Sequence, residues 1–368
     1  MAIVDLNSSG LGLIRSEADI TPAWVEGVLR GSGNLEEGVS VTDVSLQRIG
    51  EGVGILSILQ KVVPHYSGPT KAPASLVVKY PTDDPGQRFT ADALTFYVRE
   101  LIFYRDIAPS APFRTATCYA QAIATENTDF TIAMEDIGHL TQINQLEGVS
   151  LAQAEVLIDQ LADYHAMWWN SPKLDEMIGY FAPLSNPVYH LVLPGLWDGG
   201  WPAMLEHAPE IVPPEIAAIG TMWSTKVQWM LDSLMAPATL CHGDYRADNL
   251  MFDGNKPVVL DFQIVGKGCG IYDLGYFISQ SIATDVRRGN DRKLFDRYCD
   301  RIESHGIEID REEMWRQYRI TVFFCAIYSV TNWPQYGNMN ERGQSLLRDM
   351  LQRSLQAIVD VDAISVIE

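Results

Sequence analysis

The sequence predicts an α+β fold in two parts: a small amino-terminal part with an antiparallel sheet and one main helix, and a larger, mostly helical carboxy-terminal part that carries a hairpin. Three observations lead there. Strand patterns follow one another from Val41 to Tyr80 with turn residues between them. Ser150 and Gln153 form a capping box that opens a long helix. Within the helical half, Asp253-Gly254-Asn255 lies between two apolar runs, which is a hairpin signal.

Taken in order, residues 1–40 read as a helical extension, with Thr21 as the N-cap and Pro22 at the first helical position of a short helix. Strands are expected at Val44 to Ile49, Ile55 to Val63 and Ser75 to Tyr80, an antiparallel meander. Leu94, Tyr97, Val98, Leu101, Ile102 and Tyr104 recur at helical spacing, which predicts a helix over 89–107 with Arg99 and Glu100 on or beside its apolar stripe. Two further strands are expected at Arg114 to Ala122 and Phe130 to Met134.

Glu135-Asp136-Ile137-Gly138 then breaks the pattern, so the boundary is set there: 41–137 is one lobe and 138–368 the other. The helix from Ser150 carries Leu157, Leu161, Tyr164 and Trp168 on one face and should end near Trp169. Residues 171–215, rich in Pro, Gly and Trp, follow no clear period. Helices are expected again from Pro214 to Met235 and from Asp291 to the carboxy terminus.

Composition narrows the function. Asp plus Glu outnumber Lys plus Arg by 47 to 27, a net charge of -20 that repels a phosphate backbone, so neither nucleic acid nor an anionic membrane is an expected partner. The five cysteines are widely spaced with no C-x-x-C pair, which suits a reducing cytoplasm better than a disulfide framework or a zinc knuckle. The amino terminus lacks a basic segment followed by a long apolar one, and the strongest apolar run, Ile320 to Val330, is too short to cross a bilayer.

The chemistry concentrates in His242-Gly243-Asp244-Tyr245-Arg246-Ala247-Asp248-Asn249 and in Asp261. Phosphoryl transfer from ATP needs Mg2+ to neutralise phosphate charge, oxygen ligands for that metal, and a carboxylate to orient and deprotonate the acceptor hydroxyl. Asp244, Asn249 and Asp261 supply such groups, and the hairpin predicts that Asn249 and Asp261 lie close together. Four residues separate Asp244 from Asn249, as in the catalytic loop of protein kinases.

With Gly243 in place of the protein-kinase arginine, the segment resembles the aminoglycoside phosphotransferase and choline kinase superfamily. Asp261-Phe262-Gln263 and Gly270-Ile271-Tyr272-Asp273-Leu274-Gly275-Tyr276-Phe277 are similar to its ecdysteroid-kinase-like branch. The resemblance implies a protein-kinase-like, two-lobed fold, ATP and Mg2+ as cofactors, Asp244 as catalytic base and Asn249 and Asp261 as metal ligands. Asp273 would brace the loop or cap the next helix, and His242 is read as a brace.

The amino-terminal half fits the same expectation. Gly50, Gly52 and Gly54 lie between two strands, where backbone amides can approach ATP phosphates. Lys79 comes late on the next strand and Glu100 on a helix, the order in which a kinase-like fold pairs a phosphate-binding lysine with a glutamate. Arg99, beside Glu100, competes for the inward position. By the same resemblance Met134-Glu135-Asp136-Ile137 is the hinge, with backbone groups of Glu135 and Ile137 meeting adenine.

No Gly-x-Ser-x-Gly or H-E-x-x-H is present, which removes the serine and zinc hydrolases. The expected activity is transfer of the γ-phosphoryl group of ATP to a small hydroxylated acceptor, cationic or amphipathic. The alternative is a catalytically inactive nucleotide-binding scaffold of the same fold. A protein kinase is the weaker alternative, since Gly243 replaces the arginine and no Ala-Pro-Glu follows Asp261. Trp168, Trp169, Trp197 and Trp201 are aromatic candidates for an acceptor pocket, with core packing the preferred reading. His165 is read as a satisfied core histidine.

Overall fold

Alternation of inward and outward side chains builds the first sheet of this computed structural model, which describes residues 3–50, 56–124, 129–177 and 179–367. β1 is Val4–Asp5, β2 Val41–Ile49, β3 Ser57–Tyr66, β4 Leu76–Pro81, β5 Cys118–Ile123 and β6 Phe130–Glu135; they form one sheet in the order β1-β5-β6-β4-β3-β2. Along β3, Ile58, Gln60 and Val62 are buried while their neighbours are half-buried, the period-2 pattern of a strand with one covered face. β4 is buried along its whole length because it lies between β3 and β6. Every pairing is antiparallel except that of β1 with β5, which is parallel.

The chain divides into two compact units, Met1–Leu140 and Thr141–Glu368. In the first, the helix Pro22–Gly31 is capped by Thr21, whose Oγ1 accepts from the Trp24 N–H at 3.2 Å. Its buried residues Trp24, Val25, Val28 and Leu29 share one core with Val62, Leu76 and Val78 of the sheet. The helix expected over 89–107 is not continuous. It runs as Pro85–Ala93, breaks at Thr95 (φ +57°), and resumes as Phe96–Ile102 before widening into a π-helical turn, Phe103–Ile107. Phe89, on the first piece, is 73% exposed, so the apolar period holds only after the break.

The second unit is mostly helical. Ser150 and Gln153 form the capping box of the helix Leu151–Trp168 as expected. The unassigned stretch contains a helix, Pro187–His207, that holds Pro194 and Pro202 inside it. Helix propensity disfavours both prolines, and burial overrides it: Trp197 stacks on Trp223 at 4.5 Å and on Trp201 at 5.1 Å, all three in the core. Trp197 and Trp201 therefore pack the interior.

Two small sheets position the loop of interest. β7 (Thr141–Gln142), β9 (Leu250–Asp253) and β10 (Lys256–Val259) form one sheet, with β9 and β10 joined by the Gly254 turn. β8 (Ala238–Cys241) pairs with β11 (Gly266–Cys269), Cys241 opposite Gly266. The helix Ile271–Ser281 is buried throughout and packs closely on Arg311–Phe324, where a Cβ on Gly275 would stand 2.6 Å from Thr321 Cγ2. No described helix is long and apolar enough to cross a membrane.

Candidate active site

In the amino-terminal unit Lys79 sits on β4 opposite Leu59 and Ile132, a central position that strips water from its side chain. Its Nζ donates to both oxygens of Glu100, at 2.9 and 2.7 Å, and both residues are buried. Glu100, not Arg99, takes this place: the break at Thr95 sets the helix rotation, and Arg99 instead donates to Thr95 Oγ1 at 3.2 Å and lies over the Phe96 ring. Gly50 has φ +72°, a left-handed conformation that favours glycine. Gly52 and Gly54 lie outside the described residues.

At the hinge, the Glu135 N–H donates to the Thr117 carbonyl at 2.8 Å and is committed to the sheet. The Ile137 carbonyl accepts from Leu140 N at 2.9 Å, while none of the described residues accepts from the Ile137 N–H. Between them Asp136 accepts from Lys61 Nζ at 2.7 Å, Ser75 Oγ at 2.6 Å and Gly138 N at 2.9 Å. Burial raises its pKa, but these donors outweigh that and hold its carboxyl below the usual aspartate value.

In the carboxy-terminal unit the loop after β8 is fixed from below by Asp273, fully buried on the helix Ile271–Ser281. Its carboxylate accepts from His242 N at 2.6 Å and Gly243 N at 2.9 Å, and from His165 Nε2 at 3.1 Å. The other ring nitrogen of His165 meets Tyr298 Oη at 2.8 Å, so this histidine is satisfied within the core. Glycine is required at 270 for the same reason, since a Cβ there would stand 2.5 Å from both His165 Nδ1 and Tyr298 Oη. His165, Cys241 and Asp273 lie close enough together to suggest a metal. The hydrogen bonds that His165 and Asp273 already make give the cluster a bracing role instead.

Gly243 has φ +89°, and a Cβ on it would stand 2.4 Å from the Ile264 carbonyl oxygen. An arginine here is excluded by space as well as by conformation. His242 Nδ1 accepts from the Asp244 N–H at 3.1 Å, so the proton sits on Nε2, which donates to the Leu260 carbonyl at 2.9 Å. That bond ties the loop to the far strand of the hairpin.

Three side chains converge on the Asp244 carboxylate. Asn249 Nδ2 donates to Oδ2 at 2.8 Å, Tyr276 Oη donates to Oδ1 at 3.0 Å, and Arg246 Nε lies 3.3 Å from Oδ1. Burial, reinforced by the nearby carboxylate, pushes the Tyr276 hydroxyl well above its ordinary pKa and keeps it a donor. The hairpin register, Leu250 opposite Val259, extends one step further through Leu260 N to Asn249 O at 2.9 Å. It brings Asn249 beside the segment that ends at Asp261, whose φ is +60°. With Nδ2 turned to Asp244, Asn249 has its amide oxygen for a cation, and Asp261 adds a carboxylate. Hard oxygen donors of this kind suit magnesium.

The family profile described as the phosphotransferase enzyme family matches residues 85–315, more than half of the chain. The chain belongs to this phosphotransferase family. Among curated proteins none matches the sequence. Among solved structures, this phosphotransferase resembles a choline kinase from Cryptosporidium parvum, with a TM-score of 0.57, 9% identity, and 92% of this chain and 96% of that one covered. It also resembles an ethanolamine kinase of Plasmodium vivax, with a TM-score of 0.52, 11% identity, and coverage of 94% and 97%. A third is the GDP complex of an aminoglycoside phosphotransferase, with a TM-score of 0.52, 13% identity, and coverage of 89% and 93%. The α+β, protein-kinase-like fold expected from the sequence is the fold of this phosphotransferase.

Two residues of the phosphotransferase site carry no role in the sequence reading. Tyr276 lies one helical turn after Asp273, so the helix that braces the loop from below also presents a hydroxyl to Asp244; the signal is that spacing. Arg246, two residues after Asp244, had no signal beyond its place in the loop.

Proposed function

We propose that this phosphotransferase is an ATP- and magnesium-dependent kinase of a small hydroxylated molecule, with Asp244 as the base. The observation that carries this reading is the fixed pairing of Asn249 with the Asp244 carboxylate, at 2.8 Å, on a hairpin whose other strand leads to Asp261. A carboxylate held on both oxygens keeps one orientation, and each oxygen retains a lone pair for an acceptor hydroxyl. Asp244 would orient that hydroxyl and take its proton as the oxygen attacks phosphorus.

Asn249 Oδ1 and the Asp261 carboxylate would hold magnesium, which neutralises phosphate charge when bound. In the amino-terminal unit Lys79, oriented by Glu100, would meet the α- and β-phosphates. Gly50, Gly52 and Gly54 would offer backbone amides to the phosphates. Of the hinge groups, the Ile137 N–H and the Glu135 carbonyl would serve adenine. The net charge of -20 favours a cationic or amphipathic acceptor, and a cytoplasmic setting, where ATP and magnesium are abundant, goes with this reading.

The test is an ATP-consumption screen over hydroxylated compounds spanning aminoglycosides, choline-like amines, sugars and sterol-like alcohols. With the acceptor in hand, Asp244→Asn should lower kcat by about 10²-fold to 10⁴-fold while ATP still binds. An unchanged kcat would remove Asp244 as base. ATP binding without turnover of any acceptor would favour the scaffold.

A further inference from the structure

We propose that Arg246 is a second catalytic residue of this site, donating its guanidinium N–H groups to the phosphoryl group as it is transferred, with Asp248 aiming it. The inference rests on the reading of Asp244 as base given above. Three observations support it, together with the geometry that the reaction requires.

Arg246 is not the main hold on Asp244. Each oxygen of that carboxylate already accepts a shorter bond, from Asn249 at 2.8 Å and from Tyr276 at 3.0 Å. The Arg246 Nε contacts with Asp244, at 3.3 and 3.4 Å, are longer than the ~2.7–2.9 Å of a docked charge-assisted bond. The guanidinium therefore stands beside the carboxylate without being seated on it.

Its closest partner is Asp248, whose Oδ2 accepts from Nη1 at 3.0 Å. Asp248 lies on the same short loop, whose turn is closed by Asn249 N donating to the Arg246 carbonyl at 2.9 Å. The second carboxylate thus fixes where the plane of the guanidinium points. Among the described residues the Nη2 group has no acceptor, and the side chain keeps 17% exposure. A planar fork with N–H groups left over is suited to two oxygens of a phosphoryl group.

Charge balance calls for a cation at this place. The loop and hairpin bring Asp244, Asp248 and Asp261 to one region of a protein whose net charge is -20. Among the described residues Arg246 is the only cation within salt-bridge distance of Asp244.

The geometry of the reaction supplies the last step. The acceptor oxygen lies within hydrogen-bond reach of Asp244 and bonds to the γ-phosphorus as the bond from that phosphorus to the β–γ bridging oxygen breaks. The bridging electron pair leaves with ADP, the acceptor proton passes to Asp244, and Arg246 stays protonated throughout. The moving phosphoryl group is thus one oxygen removed from the carboxylate that Arg246 flanks, where a guanidinium stabilises charge spread over the equatorial oxygens.

The test needs no acceptor. ADP with magnesium and aluminium fluoride mimics the phosphoryl group in flight, and its dissociation constant is compared with that of magnesium-ADP alone by calorimetry. Wild type should bind the fluoride complex far more tightly than ADP. Arg246→Ala should lose roughly 10²-fold or more of that tightening, with ADP affinity changed less than about twofold. Asp248→Asn should lose a smaller share, on the order of 10-fold. Full tightening in Arg246→Ala would overturn the proposal and leave the kinase reading standing. A wild type with no fluoride-dependent tightening would overturn both. Should the alanine variant fail to fold, Arg246→Gln, neutral and of similar length, carries the same expectation, and full tightening in it is equally fatal.

Discussion

Asp273→Asn tests whether one buried carboxylate holds the loop from His242 to Asn249. The wild-type group, with no exposure, accepts from two backbone N–H groups and from His165. Asparagine keeps the shape but has one acceptor oxygen. If that oxygen stays with His242 N and His165, the new NH2 faces the Gly243 N–H across 2.9 Å, donor against donor. One charge-assisted bond is lost and one buried N–H is left unsatisfied, each worth about 1–3 kcal/mol, and the remaining bonds weaken as the charge disappears. The sum is about 3–5 kcal/mol, a large share of a typical ~5–15 kcal/mol total stability. The reverse amide orientation strands two donors and costs more. The assay is urea unfolding followed by tryptophan fluorescence, which reads the Trp197, Trp201 and Trp223 stack of the same unit. With a slope of about 3 kcal/mol per M, the midpoint should fall by roughly 1–1.7 M. A buried carboxylate also carries a desolvation cost, which its three donors must exceed. A midpoint within about 0.2 M of wild type would mean that the three donors only offset that cost, and the bracing argument would fail.

The Lys79–Glu100 pair and the hinge carboxylate make two further predictions. Lys79→Met removes one partner of a buried ion pair and should cost about 3–5 kcal/mol in urea unfolding, whereas adding Glu100→Leu to it should recover part of the loss; equal midpoints for wild type and Lys79→Met would refute this. Asp136 has a folded pKa below the usual 3.8, so its contribution is fully present above about pH 3.8 and is lost as pH falls through the lowered value. The stability gap between wild type and Asp136→Asn should therefore be constant from neutral pH down to about 4 and shrink below it, and a gap that widens on acidification would contradict the argument.

How much was legible beforehand follows from the range of each interaction. Thr21 and Ser150 cap their helices through groups three residues away, and the Asp253-Gly254-Asn255 turn sets a register of adjacent strands. These features need no distant partner, and the sequence pattern identifies them. The Asp244-to-Asn249 spacing is equally local, because a loop of that length returns the amide to the carboxylate. Other outcomes turn on residues far apart in the chain. The rotation that puts Glu100 rather than Arg99 on Lys79 depends on the left-handed Thr95 and on β4 being covered on both sides. The Pro187–His207 helix forms against its propensity because Trp197 is buried on Trp223.

By itself, then, the sequence determined the loop from His242 to Asn249, its hairpin and the α+β division, since each is encoded in contacts between near neighbours. Only the tertiary structure decided that Asp273, about 30 residues downstream, binds the backbone of His242 and Gly243, that His165 closes that brace, and that Tyr276 reaches Asp244. The physical reason is that a buried polar group must find its partners wherever packing has removed water, and packing is a property of the whole unit rather than of any segment.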